Sequence, residues 1–127
     1  MNNKLFDILK NNEAVFAIVA NRIGPVGTIN KQPFPKIVYE NVTSDELKSN
    51  TGVVLTQYDY QIDCITKTSK KAKQLEEAVK DCLRFYKDAE IQLITIENSF
   101  NKQFPLNDGE DIPKLYGKTI IVKITPF

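Results

Sequence analysis

Residues 53–66 read Val53-Val54-Leu55-Thr56-Gln57-Tyr58-Asp59-Tyr60-Gln61-Ile62-Asp63-Cys64-Ile65-Thr66. From Tyr58 the stretch alternates strictly. Tyr58, Tyr60, Ile62 and Cys64 fall on one side, and Gln57, Asp59, Gln61 and Asp63 on the other. A period of two is the mark of a β-strand, whose successive side chains point to opposite faces. One apolar and one polar face together predict a sheet packed on a single side. The period then changes. Between Ser69 and Tyr86, the residues Ala72, Leu75, Val79, Cys82, Leu83 and Tyr86 recur at steps of three and four, which predicts a helix with one apolar stripe. Thr68 or Ser69 can cap its first turn, and the glutamates and lysines between the apolar positions read as its solvated face.

Upstream, Lys36 to Val42 is a dense run of β-formers, preceded by a loop carrying Pro33 and Pro35. Thr43 to Thr51 is polar and turn-rich and reads as a connection. The first segment, Asn3 to Ala20, is helical by pattern, but Asn11-Asn12 interrupts it, so one helix or two fit equally. Asn21 to Pro25 stops that helix and can turn directly into a short strand. Downstream, Ile91 to Phe100 is β-like with a phase shift between Leu93 and Ile94, which calls for a bulge or for burial on both faces. Phe104 to Tyr116 reads as a long loop, and Lys118 to Thr125 as a last strand with Ile120, Val122 and Ile124 on one face. The fold class expected is α+β: one domain over residues 1–127, a mainly antiparallel sheet of about four strands, and two helical regions on one face.

Chemistry is harder to find. The 127 residues hold no histidine, which removes the commonest general base, the commonest metal ligand and every Ser–His or Cys–His pair. Cys64 and Cys82 fall on apolar faces and read as small core residues. Asp59 and Asp63 read as a polar sheet surface. The spacing of Asp108, Glu110 and Asp111 does not match a calcium loop. No catalytic residue, cofactor or metal site is therefore expected, and the chain reads as a non-enzyme. Lys and Arg total 17 against 16 Asp and Glu, a net charge of +1 that gives no field for nucleic acid. The start lacks the pattern of a signal peptide, and no window approaches a membrane span.

Three stretches carry a resemblance. The first is a helix ending in Ala20-Asn21-Arg22-Ile23 with Pro25 just beyond. The second is Pro33-Phe34-Pro35 feeding the strand Lys36-Ile37-Val38-Tyr39. The third is the strand Tyr60 to Thr66 running into the helix of Ala72, Leu75, Ala78, Val79 and Leu83. In this order and spacing the chain resembles the tail-completion, or tail-to-head joining, proteins of long-tailed bacteriophages. The resemblance covers residues 4–86 well, and beyond them only the strand order. It implies a virion subunit at the head–tail joint, made and assembled in the host cytoplasm. Its partners would be itself in a ring, typically a hexamer, the tail tube protein below and a head-completion or connector protein above. A different class also fits the residues: a small cytoplasmic adaptor binding a protein or peptide through an exposed strand edge.

Candidate contact residues follow from the loops and from one charge run. Leu47, Val53, Val54 and Leu55 lie in or beside the first connection, and Phe104, Leu106, Ile112 and Leu115 in or beside the second. Connections this long are uncommon in compact domains unless they serve a function. Lys70 and Lys71, with Lys67 and Lys73, form a basic cluster at the start of the long helix. It is read as a solvated first turn or as a contact for an acidic neighbour.

Overall fold

The computed structural model describes residues 2–27, 34–48, 54–84, 86–89, 91–104 and 115–126. The elements run α1 (Asn2–Lys10), α2 (Glu13–Val19), β1 (Ile23–Pro25), β2 (Lys36–Lys48), β3 (Val54–Thr66), α3 (Ser69–Arg84), β4 (Ile91–Phe104) and β5 (Leu115–Pro126). The sheet has the order β1-β2-β3-β5-β4. Among the described residues only β1 against β2 is parallel; the other three pairings are antiparallel. The class is α+β as expected, with a fifth strand supplied by the short stretch after the first helical region.

Asn12 explains why that region is two helices. Its backbone is extended (φ −83, ψ 123) and its side-chain oxygen accepts from the Val15 N–H at 3.1 Å, which caps α2 and ends α1. The chain leaves α2 through Ala20 in a positive-φ conformation (φ 52) and enters β1 three residues later. At the far helix, Thr68 is the cap: its hydroxyl accepts from the Lys71 N–H at 3.2 Å. That helix spans Ser69–Arg84, and Tyr86, the last residue of the predicted stretch, lies outside it.

All three helices contribute to one core with the inner face of the sheet. Leu5, Leu9, Val15 and Val19 pack with Leu75, Val79 and Leu83 over Ile37, Tyr60, Ile62, Ile120, Val122 and Ile124. The alternation from Tyr58 to Cys64 places Tyr60, Ile62 and Cys64 in this core, with Tyr58 packed against its margin. Tyr39 and Tyr60 meet edge to face, ring centroids 6.2 Å apart. On the opposite face, cross-strand pairs share polar contacts. Thr119 donates to Asp63 at 2.7 Å, and Lys123 lies 4.0 Å from Asp59 and 3.4 Å from Glu97.

Strand boundaries depart from the sequence reading on both sides of the two connections. The stretch 43–48, expected in a connection, continues β2, because its backbone pairs residue for residue with Val54–Asp59. Strand pairing supplies what intrinsic propensity does not at Asp45, Glu46 and Lys48, residue types depleted in strands. Residues 101–104 likewise extend β4, paired with Leu115–Lys118. The phase shift in β4 is a bulge, and there are two. The register slips between Ile91 and Leu93 and again between Ile96 and Asn98. The first lets Ile91 and Ile94 both face the core while Leu93 stays 49% exposed.

Candidate functional site

The two connections expected to make contacts leave the sheet at opposite ends. Residues 49–53 follow β2 where β3 begins, and residues 105–114 precede Leu115, beside Tyr116, which pairs with Thr66 at the end of β3. Twelve residue steps of β3 separate the ends, about 40 Å at the rise of a strand. Toward the 49–53 end, the ribbon of β2 and β3 also outruns β5, whose backbone pairing with β3 stops at Tyr58. Val54–Gln57 pair with Asp45–Lys48 past that point, a two-stranded stretch of about 14 Å along which the Gln57 side chain still reaches Thr125 of β5 at 3.5 Å.

Of the predicted contact residues, Val54 and Leu55 lie in the strand read over 53–66, and Leu47, Phe104 and Leu115 have backbones inside paired strands rather than in loops; Leu47 stands opposite Leu55, and Phe104 opposite Leu115. Val53, Leu106 and Ile112 lie outside the described residues, as does the acidic stretch 108–111. Lys70 and Lys71 are exposed on the first turn of α3. Lys70 and Lys73 share a 460 Å³ cleft with Asn101, Tyr116 and Lys118, whose lining does not include Lys71. Lys118 reaches this group because it pairs with Cys64 on the neighbouring strand, a register that no local pattern in the chain announces.

Two polar junctions were not singled out by sequence reasoning. The Arg22 guanidinium donates through Nε to the Pro35 carbonyl at 2.8 Å and through Nη2 to the Ile18 carbonyl at 3.3 Å. Its own carbonyl accepts from the Ile37 N–H at 2.9 Å. One residue therefore ties the end of α2, β1 and the Pro-x-Pro entry to β2 together. The second junction is Glu76, which the helical pattern placed on a solvated face. It is 8% exposed; Ser99 donates its hydroxyl to it, and Lys80 lies 3.8 Å away. Ser99 reaches the helix side because the second bulge in β4 reverses the alternation after Ile96.

The cysteines fit the core reading. Cys64 is fully buried, and its thiol is pushed well above the usual range by desolvation and by the nearby carboxylates Asp63 and Glu76. Cys82 lies with its thiol 3.6 Å from the Ile8 carbonyl of α1, and burial raises its pKa to about 11. Both are held as neutral thiols, which makes them poor nucleophiles. Among the described residues no group of His, Cys, Asp or Glu is arranged to hold a metal ion, and no helix is long and apolar enough to cross a membrane.

Residues 3–116 match the model of a family described as tail completion protein gp17. Among solved structures, the fold is similar to a chain of a particle described as the virion of native gene transfer agent, with a TM-score of 0.76 at 12% identity. The match covers 96% of this chain and 90% of that one. No curated protein matches the chain.

Proposed function

The chain belongs to the tail completion protein gp17 family, and on that premise we propose that it closes the phage tail tube as a ring at the head–tail joint. The family match across residues 3–116 carries this reading. The ring is built of identical copies, six in the reading drawn from the resemblance, and docks the tube to a head-completion or connector protein. Its work is binding and assembly, without a chemical step.

The fold suits a subunit held between two layers. Its connections leave from opposite ends of a 40 Å sheet, so one can address the tube while the other addresses the connector. The near-balanced charge, +1 over the chain, leaves little long-range repulsion to oppose the packing of identical copies. Lys70, Lys73 and Lys118 around one cleft give an acidic neighbour a place to bind.

Electron microscopy of particles assembled without this chain tests the proposal. Filled heads and separate tails are expected, with joining restored when the chain is supplied. Joined, infectious particles formed in its absence would sink the proposal.

A further inference from the structure

Besides the outer side of the three-residue β1, the strand order β1-β2-β3-β5-β4 leaves two longer edges with no strand partner among the described residues. One is β2 from Val42 to Lys48, beyond the last residue paired with the three-residue β1. The other is the side of β4 turned away from β5. Open edges are templates for another strand, and proteins either blunt them or use them. Each edge here carries an exposed apolar residue: Val42 at 54% exposure on the first and Leu93 at 49% on the second. Both lie toward the same end of the sheet. Thr43, Asp59, Lys123 and Thr95 form one row across it, and Ser44, Tyr58, Ile124 and Ile94 the next.

The geometry points to a head-to-tail joint in which the β2 edge of one copy, Val42–Lys48, pairs with the β4 edge of a second copy, Ile91–Ile96. This rests on the ring reading and names the contact that would build it. The strand directions favour it. Three successive antiparallel pairings make β4 run opposite to β2. A rotation about an axis along the strands leaves their directions unchanged, so the β4 of the next copy arrives antiparallel to β2. The helices then stay on one face of a continuous sheet. With no slip between copies, Thr43 meets Thr95 and Ser44 meets Ile94 of the next copy. The two patches differ, so the contact is heterologous, and repeated through a closing rotation it gives a ring in which both of these segments are paired.

The second bulge shifts the register of β4 between Ile96 and Asn98, and the Asn98 side chain takes the Ser99 N–H at 2.8 Å. Ile91–Ile96, on the near side of that bulge, is the segment that lies level with the β2 edge.

Hydrogen exchange on the full chain, compared between single copies and assemblies, tests the joint. Amides within 42–48 and 91–96 should exchange about tenfold or more slowly in the assembly. A mixture of Asp45→Cys and Leu93→Cys chains should cross-link on oxidation, while neither variant does so alone. If an assembly forms with both segments unprotected, or if each variant links to itself, the edge joint is wrong and the ring stands. A mass fixed at one copy even with purified tail tubes removes both readings. Should the cysteine variants fail to fold, exchange on the unaltered chain decides.

Discussion

Replacing Arg22 by alanine removes two hydrogen bonds from one junction and nothing from the apolar core. The Nε bond to the Pro35 carbonyl, at 2.8 Å, has good length; the Nη2 bond to the Ile18 carbonyl, at 3.3 Å, is long. A hydrogen bond from a charged donor contributes about 1.5–3 kcal/mol, and an acceptor stripped of its donor loses more when water cannot reach it. The site is partly buried, so water replaces some of what is removed. Discounting the longer bond for length and both for exposure leaves a loss of about 2 kcal/mol. For a domain of this size that corresponds to a fall of about 6–8 °C in Tm. Arg22→Lys should recover about half, because an ammonium has no planar fork to reach both carbonyls. Since the acceptors are carbonyls and not carboxylates, high salt should leave the difference nearly unchanged. Urea unfolding of the three chains at low and high salt measures this. A loss below about 0.5 kcal/mol for Arg22→Ala would show that Arg22 does not hold β1 to the entry of β2.

Ser99→Ala should cost about 1.5–3 kcal/mol, because it withdraws a donor from the buried Glu76 carboxylate; if urea unfolding shows no loss, the second bulge has no stabilising role on the helix side. Stability should also fall at alkaline pH. Folding raises Cys82 from 9.0 to about 11 and Tyr60 from 10.0 to about 12, so the unfolded chain releases these protons first. Their contribution is complete below the unfolded pKa values and declines as pH rises toward the folded ones, by about 1.4 kcal/mol per pH unit per group. Cys82→Ala should flatten the urea midpoint against pH between 9 and 11, and Tyr60→Phe should do so only above 10. A profile unaltered by either change would contradict the burial of these groups.

What the sequence discloses here is local periodicity. Tyr58 to Cys64 shows its faces because alternation is written into seven consecutive residues, and α3 shows its stripe because the apolar steps hold for more than three turns. The break at Asn12 is equally plain, since asparagine can exchange a helical hydrogen bond for a cap. Thr43 to Lys48 is different. Nothing in its composition marks a strand, and its pairing exists because Val54 to Asp59 lies opposite. Glu76 is hidden for a related reason: its burial depends on Ser99, 23 residues away and turned inward by a bulge that the chain marks only as a lapse in phase. Leu47, Phe104 and Leu115, chosen from the connections, fell at strand ends, because the strands run further than their propensities do. The family was legible in three stretches, two of which Arg22 joins in space.

The two bulges in β4 bear on how many copies an assembly can hold. A straight, flat edge imposes no limit on addition and grows into a fibre. Each extra residue, Gln92 and Glu97, makes β4 the longer path of its hairpin, and a strand longer than its partner must bend. A bent edge meets its complement at an angle, and angles repeated around an axis sum to a finite number. Deleting Gln92 or Glu97 would straighten the edge, and with it alter the count at which the circle closes.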